Sequence, residues 1–322
     1  MLAATLLAAL SATCFAWEIS SRELVDMQFL ADDTLIILVS PPGATEPGIY
    51  RWQYGATEPL LICKISSRAA FSFDRKTIIE RVAGQSHELR LYDPSDCQLR
   101  ARVPVEGRVL DVDVHEGQVA VALATGGKAN ELRLYSTSGR VLARAEIGRN
   151  VEMGFAPDGH TVVNFDPSDG GAIAWHAGTL LRQPLPAWMY SGESTFVPGS
   201  SFVKRYIDGM LSVMTWPAGT TRYSIPSTRS VRLRQLSASG RFGVAHSQSD
   251  IVGTLDWIDF DAQNRVRLAT GNIDHAAINS AGNLAAWALR HKAKNDRVEV
   301  RYARINANGD VVTPGNSSET RQ

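Results

Sequence analysis

The sequence predicts an all-β protein, a seven-bladed β-propeller of four-stranded antiparallel blades. Three observations predict it. A tight turn between two apolar runs recurs about every 41 residues along the chain. A second strand, ending in an aromatic residue and a polar turn, follows most of these turns about 20 residues later. No stretch carries the apolar period of an amphipathic helix.

The clearest copy of the first signal is Phe155-Ala156-Pro157-Asp158-Gly159, followed by the apolar run from Thr161. Proline sets φ for a turn, and glycine accepts the positive φ that other residues resist. Aligned on the apolar residue before each turn, the series is Phe29, Phe73, Val114, Phe155, Phe196, Leu236 and Ile278, with spacings of 44, 41, 41, 41, 40 and 42. The second signal appears as Leu89-Arg90-Leu91-Tyr92-Asp93-Pro94, and again at Leu132–Tyr135, Ile173–Trp175, Trp216, Trp257–Phe260 and Tyr302. A fourth short strand follows, as at Val141–Ala145. Each unit therefore reads as strands a to d. Seven such units close radially, so that each sheet is covered by its two neighbours and the exposed-edge problem is reduced.

The Phe155-Ala156-Pro157-Asp158-Gly159 turn and the strand end at 89–94 give the chain a resemblance to the WD40-like and quinoprotein-like propellers. It spans nearly all of residues 20–315 and is a resemblance of fold. The Gly-His and Trp-Asp pairs are absent from their WD40 repeat positions, with Tyr92-Asp93 the nearest approach.

Composition narrows the function classes. The 322 residues carry 33 basic and 33 acidic side chains, so no global field draws the protein to nucleic acid. The three cysteines, Cys14, Cys63 and Cys97, are too few for a disulfide framework and lack zinc-ligand spacing. Cys63 falls on strand d of the first unit and Cys97 near the start of d in the second. Outer strands of neighbouring blades diverge, which puts the pair beyond the roughly 7 Å Cα limit for a bridge.

Residues 1–16 are apolar, rich in Ala and Leu, and end in small residues before Trp17. They read as an export signal with Ala16 as the last removed residue, although no Lys or Arg precedes the apolar run. Cys14 raises a lipoprotein alternative, but Ser11-Ala12-Thr13 matches a lipidation signal poorly. The expected organisation is a signal at 1–16, one propeller domain at 17–315 and a polar tail at 316–322. The mature chain is expected to be periplasmic or secreted, with no later transmembrane segment.

Propeller ligands usually bind on the face made by the d–a and b–c loops, or at the channel mouth. The longest d–a connection holds Trp188 and Tyr190, which suit a binding hot spot or a cap over the gap between the fourth and fifth blades. The seventh b–c loop holds His291, Lys292 and Lys294, a basic patch that suits an acidic partner or a solvated hairpin tip. His246 and His275 are the two histidines with positions near that face. The inner strands carry Asp26, Asp111, Asp113, Glu152 and Glu193 out of phase with their apolar neighbours. Arg234 breaks the pattern by taking an apolar slot, and the expectation is a structural ion pair between Glu193 and Arg234 across adjoining blades. Asp166 and Asp169, and the group Asp256, Asp259, Asp261 and Asn264, offer hard oxygen ligands without a calcium-loop pattern, so neither a metal nor a cofactor is assigned.

No nucleophile elbow, metalloprotease helix, phosphate loop or dinucleotide fingerprint occurs. The favoured expectation is an exported, non-enzymatic scaffold that engages a protein partner or envelope component through one propeller face. The alternative is a periplasmic propeller enzyme, a lactonase-like hydrolase or a quinone-linked electron-transfer subunit, with its catalytic groups gathered at the channel mouth. Fold alone does not choose between them.

Overall fold

Thr34–Val39 is apolar at nearly every position because both of its faces are buried. Leu35, Ile37 and Val39 pack in one core cluster, while Ile36 and Leu38 pack in another. A strand buried on both faces must lie between two further sheets. The same division recurs in the third unit, where Val119, Val121 and Leu123 face one way and Ala120 and Ala122 the other.

The computed structural model describes residues 15–20, 25–40, 46–82, 88–124, 126, 129–148, 152–166, 171–190, 193–227, 231–248, 253–291, 297–306 and 308–312. It is a ring of seven antiparallel sheets, with the strands of blades 1 to 6 ordered a-b-c-d in sequence. The innermost strands are Val25–Ala31, Arg68–Phe71, Arg108–His115, Glu152–Phe155, Glu193–Phe196, Val231–Leu236 and Ile273–Ile278. Each ends within two residues of the position predicted from the repeat. Among the described residues the buried apolar side chains form seven clusters, one at each junction between neighbouring blades.

Blade 7 is finished by both ends of the described chain. Its third strand, Arg297–Ile305, pairs with Phe15–Ser20 along residues 297–302 and with Val311–Val312 at Arg304 and Ile305. The closing strand begins two residues before the predicted processing boundary at Trp17, and residues 1–14 and 313–322 lie outside the described residues. At the closing junction the Tyr302 hydroxyl accepts the Gly55 N–H at 2.8 Å, and the Tyr302 ring meets Trp52 edge-on at 4.6 Å.

Two expectations are corrected. Cys63 and Cys97 are bridged, with Cα atoms 6.3 Å apart. Cys97 does not sit on a diverging outer strand. It ends the c–d turn of blade 2, where its N–H donates to the Asp93 carbonyl and its φ of 58° folds the chain back towards strand d of blade 1. The second correction concerns Arg234. Leu233 pairs with Ala245 and Gln235 with Val244, so Arg234 is the extra residue of a β-bulge rather than the occupant of an apolar slot. Asp274 in blade 7 and Leu110 in blade 3 are bulged in the same way.

Candidate functional site

The a–b turns converge on one mouth of the central channel, and the turn of blade 2 crosses it. The innermost strand of blade 2 stops at Phe71, four residues long, which frees the following residues to fold inwards. The Phe73 carbonyl accepts the Gly199 N–H of blade 5 at 2.8 Å, and the Phe73 and Phe196 rings lie 5.9 Å apart. Blades 2 and 5 are opposite in a ring of seven, so this contact spans the channel. Gly199 is needed there twice over. Its φ is 71°, and a Cβ would come within 3.0 Å of Arg75 Cγ.

Arg75 anchors the other end of the crossing. It adopts a φ of 64° where the turns of blades 3 to 7 carry a positive-φ glycine. Its Nη1 donates to Asp26 Oδ1 at 2.8 Å, and His275 Nδ1 lies 3.3 Å from the same oxygen. Burial opposes ionisation of Asp26, but Arg75 and His275 override it and hold the carboxyl well below the usual carboxylate range. Asp113, on blade 3 at the other flank of the crossing turn, has no cation among the described residues. Its Oδ1 accepts the Phe73 and Val114 N–H groups at 2.7 and 2.8 Å, and Oδ2 accepts that of Phe155 at 2.7 Å. Burial pushes its carboxyl up to about 7 despite these bonds, and Asp74 adds to the rise. Asp111 likewise joins blades 2, 3 and 4, through Arg81 Nη2 at 3.1 Å and the Met153 N–H at 3.0 Å.

Two glutamines occupy the same repeat position as Asp113, the residue before the aligned apolar one. Gln235 Oε1 accepts the Ile278 N–H at 2.8 Å, joining blade 6 to blade 7. Gln28 Nε2 donates to the Arg75 carbonyl, joining blade 1 to blade 2.

The crossing turn divides the channel mouth into two adjoining cavities that share Asp74, Lys76, Gly199 and Ala238. The larger encloses about 420 Å³ and is lined by Gln28, Arg75, Asp93, Ser95, Gln235 and Ser280, among others. The smaller encloses about 270 Å³ and is walled by Phe73, His115, Phe155, Ala156 and Pro157. The Phe155 hairpin thus forms a wall of the second cavity. Gly159 at its tip has a φ of 67°, and a Cβ there would overlap the His115 ring.

The residues singled out from sequence are spread over the ring. Trp188 is in a 3-10 turn, Ala187–Tyr190, rather than an open loop, because strand d of blade 4 is only Arg182–Gln183 and this segment fills the space beside it. Its Nε1 donates to the Pro217 carbonyl at 3.2 Å and its ring meets Trp216 at 6.4 Å, so it packs between blades 4 and 5. The Tyr190 side chain lies outside the described residues. His246 is buried on strand b of blade 6, where burial and the nearby Arg234 and Arg232 push its pKa down. His275 is committed to Asp26, and His291 Nε2 lies 2.9 Å from Glu299 Oε2. Lys292 and Lys294 lie outside the described residues, as does the Glu193 side chain. Arg234 Nη2 meets His246 Nδ1 at 3.3 Å. Among the described residues, no group of three or more His, Cys, Asp or Glu is arranged to hold a metal. Asp256 is clamped by Arg265 and Arg267, and Asp259 by Arg241.

Phe73, Arg75, Gln28 and Gln235 were not singled out from sequence as site residues. Arg75 carried a signal, a long side chain where the turns of blades 3 to 7 carry glycine. The glutamines carried another, since they align with Asp113 in the repeat.

No family model matches the chain, and no curated protein matches it by sequence. Among solved structures, a chain of the mitotic checkpoint complex is 10% identical with a TM-score of 0.53, over 95% of this chain and 98% of that one. The WD40 β-propeller domain of Doa1 is 9% identical with a TM-score of 0.52, over 88% of this chain and 95% of that one. The likeness is one of fold. It supports a WD40-like propeller and leaves function to the residues themselves.

Proposed function

We propose that this protein is an exported, non-enzymatic binding scaffold that holds a protein partner or an envelope component on the a–b turn face of its ring. The observation that carries the reading is the pair of adjoining cavities at the channel mouth, one polar and one apolar, on a rim fixed by inter-blade hydrogen bonds. One of the similar folds comes from a named multi-protein complex, which is in keeping with a scaffold role. Two features support a periplasmic or secreted location. The N-terminal stretch has the composition of an export signal, and the Cys63–Cys97 bridge belongs to an oxidising compartment.

The test is made on protein recovered from its own cells. Fractionation, N-terminal sequencing and mapping of the Cys63–Cys97 peptide should give an envelope or secreted fraction, a start at Trp17 and a bridged pair. Affinity capture from the solubilised envelope should retain a partner on the wild type and lose it on Ala238→Trp, which fills the shared wall of both cavities. A cytosolic protein with reduced cysteines sinks the export. A purified protein that holds a tightly bound metal or cofactor and retains no partner sinks the scaffold.

A further inference from the structure

The two glutamines of the channel mouth each spend one end of their amide on the ring. Gln235 uses its oxygen to accept the Ile278 N–H, which leaves Nε2 as the donor end of the amide. Gln28 uses its Nε2 on the Arg75 carbonyl, which leaves Oε1 as the acceptor. Gln28 is 3% exposed, and its Oε1 is a buried acceptor with no hydrogen-bond partner. Both residues line the larger cavity. One free donor and one free acceptor therefore flank the same space, on the blades either side of blade 7.

A peptide group is the chemical complement of that pair, since its carbonyl accepts and its N–H donates. A small anion is a poorer complement. Lys76 lines the cavity, but Asp74 and Asp93 line it as well, and Arg75 Nη1 is already taken by Asp26. The adjoining apolar cavity, walled by Phe73, Phe155 and Pro157, has room for about one large apolar side chain. Satisfying a buried polar atom and filling an adjoining apolar recess are what an extended peptide does in a single strand.

Resting on the scaffold reading, we propose that the a–b channel mouth is a peptide-recognition site. It takes an extended segment of the partner, with one backbone amide between Gln28 and Gln235 and a neighbouring large apolar side chain in the Phe73–Phe155–Pro157 recess.

A display library of random short peptides, selected against the full-length protein, tests this with a defined probe. Selected peptides should share a large apolar residue and bind the wild type. Gln235→Glu keeps the oxygen that holds Ile278 and replaces the free donor by an acceptor. It should weaken those peptides about ten-fold or more, the size expected for one hydrogen bond turned into a clash of acceptors, while leaving the unfolding midpoint close to that of the wild type. Ala238→Trp should abolish binding, and it decides the matter alone if Gln235→Glu does not fold. Peptides that bind both variants as well as the wild type overturn the site. So does a selection that enriches nothing over the Ala238→Trp protein, or one in which an envelope polysaccharide and not a peptide competes at this mouth. Envelope capture separates the two ideas. A partner retained equally by wild type and Ala238→Trp leaves a scaffold that binds elsewhere on the ring and removes the channel-mouth site. Loss of all capture, with peptides still bound at the mouth, leaves the site and removes the envelope partner.

Discussion

Asp113 and Asp26 lie on the innermost strands of blades 3 and 1, and both tie the crossing turn of blade 2 to the rim. Their surroundings give them opposite electrostatics. Asp26 faces Arg75 and His275, and its ionised form is favoured. Asp113 is 2% exposed and faces three backbone N–H groups without a cation, so burial wins and its protonated form persists to about 7. Hydrogen bonds from neutral amides do not replace a full positive charge once water is excluded. One flank of the crossing turn is therefore held by charge pairing and the other by amide geometry.

The largest effect should come from Asp113→Ala, which strands the Phe73, Val114 and Phe155 N–H groups together. At roughly 1–3 kcal/mol for each buried group left unpaired, the expected loss is about 3 kcal/mol or more in a urea titration. A loss below that of the next variant would break the comparison. Arg75→Met removes the cation from Asp26 and should cost about 2 kcal/mol, tempered by the partial exposure of the pair. Gln235→Met strands the single Ile278 N–H and should cost about 1 kcal/mol, with little change in pH dependence.

The smallest effects, and the sharpest, lie in the pH profile. The Asp113 carboxyl in the fold is raised from 3.8 to about 7, so between those values the folded state holds a proton that the unfolded chain has released. Stability from this group is therefore greatest below about 3.8 and falls as pH rises to about 7. Asp26 is lowered from 3.8, so its contribution is present above that value and is lost as pH falls further. Urea midpoints measured against pH should show the neutral-side slope flatten in Asp113→Asn and the acid limb flatten in Asp26→Asn. An unchanged neutral slope in Asp113→Asn would show that the three amides outweigh burial after all.

The ring was legible in the sequence because it rests on local signals. Turn residues such as Pro157-Asp158-Gly159 and the apolar runs after them repeat at a period that locates every innermost strand within two residues. The acidic residues at 26, 111 and 113 were also visible as a phase break, and all three proved to be inter-blade ties. What escaped depends on contacts between repeats. The Cys63–Cys97 bridge hinges on a c–d turn that folds back, and the Phe73–Gly199 bond joins blades that are far apart in sequence. The apparent charge at Arg234 in an apolar slot was a bulge, which shifts phase by one residue and cannot be told from a substitution by spacing alone. The long loop at Trp188 left two readings open, a binding hot spot or a cap over the gap between blades 4 and 5, and a two-residue strand d leaves room for that loop to pack into the gap.

The shared outer edge of blade 7 also orders events in time. On a chain made from its N-terminus, Phe15–Ser20 emerges first among the described strands, while its partner at Arg297–Tyr302 emerges near the end. Until then the face of blade 1 that carries Met27, Leu35 and Trp52 has no cover, since its cover is Val298, Val300 and Tyr302 of the last blade. A nascent ring of this kind stays an open arc whose blade 1 face is the last to be covered. A holding factor that shields that face would govern the yield of closed rings.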